Sequence, residues 1–450
     1  MKLQTKSLLA LALAVAASGA MAKVSPQEAA KLGGELTPMG AEKAGNKAGT
    51  IPAWTGGLPI DKSVDPYKDI FAGEKPLFTI TAKNLDKYKA NLSDGQIALF
   101  NKYPDTYTMP VYKTHRTAAN PKAVYEKAKK NATTAQLAEG GNGILNFDET
   151  VPFAIPQNGM EIMWNHMTRY RGGAGKRVYS KLAVQPNGTY TNVTLEAVFT
   201  PPAYVQEGFD AKKDDNILFY YMQSVLAPAR LTGNVLLVHE TLDQIKQPRM
   251  AWTYNAGQRR VRRAPQVAYD APSEGSAGMA TADQTDMYNG APNKYNWKIV
   301  GKKEVYIPYN SYKLGSKEHK YSDLIGSGHL QREQSRYELH RVWQVEATLK
   351  DGERHIYGKR TFFVDEDSWQ IALADVYDNR GELWRVTESL AVQYQPFGVQ
   401  TNFGVVTHDI LAGSYLAELA NEEDQQSIDF AYKAYRKDFT TSALRRAGKR

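Results

Sequence analysis

Residues 336–395 alternate. Tyr337, Leu339, Trp343, Val345, Ala347 and Leu349 share one parity, and Glu338, His340, Gln344, Glu346 and Thr348 share the other. A period of two marks a half-buried strand, because successive side chains of an extended backbone point to opposite faces. Asp351-Gly352 then supplies a tight turn, since glycine adopts positive φ freely. Further apolar and β-branched runs at 355–364, 369–377 and 383–392 are separated by Asp365-Glu366-Asp367 and by Asp378-Asn379-Arg380-Gly381. These residue types favour turns. Long strands joined by short turns are antiparallel neighbours, so the stretch predicts a meander. Strands of about ten residues reach roughly 30 Å. A sheet that long curls, and other parts of the chain must cover its apolar face.

The remaining sequence divides around this meander. Ser25-Pro26-Gln27-Glu28 opens a short helix with a capping box. Residues 34–76 are rich in Gly, Pro and Lys, which predicts an extended arm anchored by Trp54. Helices are expected at 83–91, from the Ser93 cap to about 103, and from Asn120-Pro121 to about 139. Strands are expected at 162–170, 177–184 and 190–199, the last two joined at Pro186-Asn187-Gly188. More follow at 216–226, 234–240, 250–254 and 297–307, with a long loop or lid at 271–292. Residues 414–437 read as helical, and 439–450 as a basic tail. The expected organisation is a signal segment (1–22), an arm with helices (23–150), an antiparallel β region (151–400) and a C-terminal helix with its tail (401–450).

The first residues restrict the compartment. Lys2 and Lys6 precede a short apolar run at 8–17, and Ala20-Met21-Ala22 is a small-x-small cleavage pattern. The run is shorter than a membrane span needs, so the segment predicts export with a cut after Ala22 and no span in the mature chain. There is no cysteine, which removes disulfides, thiolate metal sites and a lipidated N-terminal cysteine. Export to the periplasm makes nucleic acid a poor partner for the net charge of +8. Anionic lipid headgroups suit it better.

The parts of a catalytic site do not assemble in the sequence. No G-x-S-x-G elbow is present, and His239-Glu240 lacks the second histidine of a zinc helix. The glycines at 140–143 match neither a dinucleotide fingerprint nor a phosphate loop. Neither catalytic residues nor a cofactor or metal are expected. Arg259, Arg260, Arg262 and Arg263 form the densest local charge. They suit phosphate headgroups or an acidic partner, or a strand edge guarded by charge. Arg341 and Arg360 share parity with apolar neighbours. They either hold an acidic head in a greasy cavity or join a buried network with Asp375 or Glu388, because an unpaired buried charge is costly.

Several stretches resemble the proteobacterial domain-of-unknown-function 1329 (DUF1329) family: GTIPAWTGG (49–57), MPVYKTHRTA (109–118), VHET (238–241), GQRRVRRAP (257–265), YIPY (306–309), YELHRVWQVEATLK (337–350) and HIYGKRTFFVDEDSW (355–369). The resemblance implies a periplasmic protein similar in fold to LolA and LolB, the outer-membrane lipoprotein-sorting carriers. Those are unclosed antiparallel barrels, covered by helices, whose apolar cavity takes acyl chains. It also implies neighbours in an outer-membrane protein and an RND-type exporter, and it carries over no catalytic residue.

The expected fold is therefore α+β and mainly antiparallel β: a curved, unclosed LolA/LolB-like half-barrel covered by helices, with an N-terminal helical and extended arm. The expected function is non-catalytic binding and carriage of a lipid, a lipoprotein acyl chain or a similar apolar ligand. Trp164, Phe219, Tyr221, Trp343, Trp369 and Trp384 are the expected cavity aromatics, with Arg341 and Arg360 beside them. The alternatives are a periplasmic scaffold joining an outer-membrane protein to an RND-type exporter, or a hydrolase of apolar esters.

Overall fold

The computed structural model describes residues 24–265, 267–316, 318–420 and 428–449; the expected signal segment and the expected cut after Ala22 lie outside the described residues. The strands are β1 (Phe78–Ile80), β2 (Met109–Val111), β3 (Gln136–Leu137), β4 (Ile144–Leu145), β5 (Gly175–Val184), β6 (Tyr190–Thr200), β7 (Ile217–Ala227), β8 (Val235–Thr241) and β9 (Met250–Asn255). They continue with β10 (Arg260–Arg263), β11 (Tyr295–Pro308), β12 (Tyr337–Leu349), β13 (Lys359–Asp365), β14 (Ile371–Tyr377), β15 (Leu383–Tyr394), β16 (Val399–Asp409), β17 (Tyr415–Leu419) and β18 (Ile428–Asp429). The α-helices are α1 (Pro26–Ala29), α2 (Asp94–Lys102), α3 (Lys122–Thr134), α4 (Gly159–Thr168), α5 (Tyr321–Leu324) and α6 (Thr441–Ala447).

All strands except β3 and β4 belong to one sheet, ordered β1-β2-β12-β13-β14-β15-β16-β17-β5-β6-β7-β8-β9-β10, with β11 also on β12 and β18 on β5. The alternating stretch is the meander β12–β15, and every pair in it is antiparallel. Along the main path the pairing does not return from β10 to β1, so the sheet is an unclosed half-barrel with few helices.

The segment expected as a helix at 83–91 forms two 3-10 turns, Ala82–Lys87 and Lys89–Asn91, the expected tail at 439–450 contains α6, and two longer segments change type. Residues 162–170 were expected as a strand, but 159–168 form α4. Asn158 caps it by accepting from the Glu161 backbone. Its buried residues include Ile162, Met163, Trp164, Asn165, His166 and Met167. A helix enclosed on all sides has no polar stripe, so its 3.6-residue period is hidden. Residues 414–437 were expected to be helical. Of these, 421–427 lie outside the described residues, and 415–419 form β17, which joins the meander to the second half of the sheet through β16 and β5; the terminal helix is α6. Pairing on both edges outweighs the helical preference of a short Leu, Ala and Glu run.

The two halves are filled differently. Inside the meander, Val345, Ala347, Phe362, Val364, Ala374 and Val376 pack with Ile162, Met163, Trp164 and Met167 in one core. The helix α4 plugs this half. The N-terminal arm covers the meander's other face and its edge. Ser93 caps α2 through the Gln96 backbone, and its hydroxyl and the Gly95 N–H each donate to Asp375 at 3.0 Å. The indole of Trp54 donates to Ala118 at 3.1 Å.

The acidic turn Asp365-Glu366-Asp367 is the arm's receptor. Arg116 meets Asp367 through Nε at 2.8 Å and Nη2 at 2.7 Å. Glu366 takes Arg341 at 2.7 Å and Lys302 at 2.9 Å, and Arg341 also donates to the Glu42 and Ala44 carbonyls. The carboxylates and both guanidiniums are buried. Removing one partner of such a set leaves an uncompensated buried charge. Arg116→Ala should therefore lower stability by about 3–5 kcal/mol, read as a shifted urea midpoint. A shift within error would mean that the arm is held by apolar packing alone.

A second stability signature comes from His408, which is buried and stacks on Tyr415 at 5.5 Å. Burial, aided by the nearby Arg332, pulls its pKa down to about 3. The unfolded chain takes up this proton near pH 6.5 and the folded chain does not, so this stability is present above pH 6.5 and is lost as pH falls. Between pH 7 and pH 5 the residue should account for about 2 kcal/mol of lost stability. Denaturation of His408→Leu at both pH values should show a correspondingly smaller loss, and an equal loss would refute the assignment.

Candidate ligand-binding cavity

Register builds the hollow half. Arg177 lies opposite Ala197 across β5 and β6, Phe199 opposite Tyr221 across β6 and β7, and Tyr221 opposite Val238 across β7 and β8. Odd positions of three strands and even positions of the fourth thus share one face. That face lines a cavity of about 440 Å³, with Tyr179, Phe199, Phe219, Tyr221, Val225 and Val238 among its walls and Phe403 and Val405 of β16 at one side. The opposite face is closed by the C-terminal segment. Tyr220 stacks on Phe439 at 5.5 Å, and His239 bonds the Phe439 carbonyl at 2.7 Å. His239 therefore has a structural contact outside the cavity.

The predicted loop at 271–292 forms a wall of this cavity and is itself buried in part. Two aspartates hold it. Asp283 meets Arg360 at 2.6 Å and His355 at 3.2 Å. Asp286 meets Arg169 at 2.8 Å and Arg171 at 2.9 Å. Burial opposes both charges, yet Arg360 holds the Asp283 carboxyl well below the usual carboxylate range. Arg169 and Arg171 do the same for Asp286. His166 of α4 also bonds the Asp286 carbonyl at 2.7 Å, which ties the wall to the plug.

The cavity's charges are largely committed. Lys176 pairs with Glu196 at 2.7 Å, Arg249 with Glu240 at 2.7 Å and Lys181 with Glu418 at 3.4 Å. Lys181 also donates to the Ser273 hydroxyl at 2.8 Å. Elsewhere, His340, Asp365 and Asp367 bring ligand atoms within 4.8 Å of one another. Both Asp367 oxygens are already taken by Arg116, whose charge opposes a cation there.

Of the residues expected to contact a ligand, Phe219 and Tyr221 line the cavity. The others lie elsewhere. Trp164 sits in the plug and donates to Gly141 at 2.9 Å. Trp369 is fully buried and donates to Met39 of the arm at 2.9 Å. Trp343 is half-buried beneath Lys302, at 4.8 Å. Trp384 donates to Asp409 at 2.9 Å. Arg341 and Arg360 belong to buried networks, with Glu366 and Asp283 as partners in place of Asp375 and Glu388. Arg360 is also ringed by Tyr295, Tyr357 and Tyr288 at 4.9, 5.1 and 5.5 Å. Arg259, Arg260, Arg262 and Arg263 are exposed at the free edge strand β10. Sequence reasoning missed Arg171, Arg177, Tyr179 and Phe199. Their signal was the shared parity of Arg177, Tyr179 and Lys181, readable once the hairpin register is known.

Asp286→Ala should leave two arginines without their carboxylate. It should lower stability by about 3–5 kcal/mol and speed proteolytic cleavage within 267–289. Unchanged cleavage and an unchanged urea midpoint would show that packing alone holds the wall.

Comparison with known proteins adds the following. The model of a family described as protein of unknown function (DUF1329) matches residues 79–445. The uncharacterized protein PA3922 of Pseudomonas aeruginosa is 55% identical over 444 residues, covering 98% of this chain and 97% of that protein. A solved domain of a candidate outer membrane lipoprotein-sorting protein from Vibrio parahaemolyticus is similar at TM-score 0.44 and 13% identity, over 64% of this chain and 98% of that one. The LolA superfamily protein NE2245 from Nitrosomonas europaea is similar at TM-score 0.39 and 11% identity, over 64% of this chain and 100% of that one.

Proposed function

The chain belongs to the DUF1329 family, and from that premise we propose that it is a carrier that binds an apolar molecule without covalent chemistry. One observation carries this reading: the second half of the sheet encloses a cavity of about 440 Å³ walled by aromatic and aliphatic side chains, where the first half is plugged by α4. That volume falls within the range of small-molecule sites, and its mixture of an apolar wall with a few polar groups is typical of them. Burial of an acyl chain there would contribute about 0.8 kcal/mol for each methylene removed from water.

The setting follows from the sequence. The N-terminal pattern supports export to the periplasm, and among the described residues no helix is long and apolar enough to cross a membrane. Arg260, Arg262 and Arg263 stand on the free edge strand, and Arg259 in the turn before it. Register places Arg260 opposite Asn255 and Arg262 opposite Thr253, two cavity-lining residues. In this reading the exposed arginines meet anionic headgroups while the ligand is exchanged.

The test is native mass spectrometry of protein purified from periplasm, followed by titration with a neutral apolar fluorescent probe. Ala197, buried on the cavity floor, is the site to block. Ala197→Trp should weaken probe uptake by at least about tenfold, equivalent to 1.4 kcal/mol. Trp343→Ala, outside the cavity, should leave uptake unchanged. Equal uptake by wild type and Ala197→Trp would refute the cavity as the binding site.

A further inference from the structure

Arg177 differs from the other cations of the cavity. Lys176, Lys181 and Arg249 each have a carboxylate partner, and Arg171 shares Asp286 with Arg169. Among the described residues, no carboxylate lies within 4.0 Å of Arg177. Its guanidinium lies over the Tyr179 ring at 4.4 Å and lines the cavity. Glu418 and Asp286 face the same space, but both are already engaged. The other acids of the lining are Glu240, held by Arg249, and Glu274, which is exposed. Among the described residues, two arginines on one aspartate and one arginine without an acid give the wall a surplus of positive charge.

A guanidinium set in an aromatic wall loses hydration, and a cation–π contact offsets only part of that loss. Its planar fork matches a carboxylate or phosphate through two parallel hydrogen bonds. The apolar wall continues from it through Phe199, Phe219, Val225 and Val238. We infer that the cavity takes an anionic amphiphile, with a carboxylate or phosphate head on the Arg177 guanidinium and an alkyl tail along those side chains. This assignment rests on the carrier reading and deepens it from an apolar molecule to an acidic one.

Calorimetric titration of the full chain with dodecanoate, dodecyl phosphate and methyl dodecanoate tests it. Wild type should bind at least one of the two anions about 10- to 100-fold more tightly than the ester, as a charge-assisted pair implies. The tighter anion identifies the head group. Arg177→Gln should abolish the preference while keeping the affinity for the ester, which also demonstrates that the variant is folded. Arg177→Lys, which keeps the charge without the fork, should retain a reduced preference. Equal binding of anions and ester by wild type, or a preference that survives in Arg177→Gln, would overturn the head-group assignment and leave the carrier reading standing. Failure of wild type to bind any of the three would overturn both.

Discussion

An open sheet of this length has two faces and two free edges, and each must be covered or guarded. The architecture is a set of answers to that constraint. The meander half is covered twice, by α4 within and by the arm without. The second half is covered once by apolar packing, where Phe439 and Leu444 lie on the outer face. Its inner face is left with space. The edge at β10 carries exposed arginines, whose charge disfavours pairing with another strand. A cavity arises because, among the described residues, one half of the sheet has a plug and the other has none.

Electrostatics fix the boundary between these halves. Asp283 and Asp286 belong to one wall segment but reach different sides. Asp283 is held by Arg360 on the meander, and Asp286 by Arg169 and Arg171 beside α4 and the cavity. Both pairs are buried, where breaking a pair costs more than making it gains. Such contacts specify position more than they add stability. They set the segment in one place, and the cavity's volume depends on that place. The same logic applies to the arm, whose Arg116 finds the turn 365–367 through two parallel hydrogen bonds.

Local patterns made the meander, its turns, the Ser93 cap and the β7–β8 pair legible, because each depends on neighbours in sequence. The readings of 162–170 and 414–437 failed for a shared reason. Enclosure on all sides removes the amphipathic stripe of a helix, and pairing on both edges recruits a run that would otherwise be helical. The candidate site was legible only in part. Phe219 and Tyr221 line the cavity, but Trp164, Trp343, Trp369 and Trp384 are aromatics of the plug, the arm junction and the meander's end. Size and apolarity mark a residue for burial without saying whether it faces a neighbour or a void.

The sequence by itself determined the family, through its long matching motifs, and it determined the antiparallel meander and the absence of a disulfide framework, which follow from local alternation, turn chemistry and composition. Only the tertiary structure decided which half of the sheet is hollow and which cavity-lining arginine stands, among the described residues, without a carboxylate partner. Arg341 and Arg360 looked like candidates for an acidic head, and the fold gave both of them partners far away in the chain, Glu366 and Asp283. Arg177 looked unremarkable, and the fold gave it Tyr179 and open space. Pairing of buried charges is a matter of distance in space, and distances between remote segments are set only when the chain closes on itself.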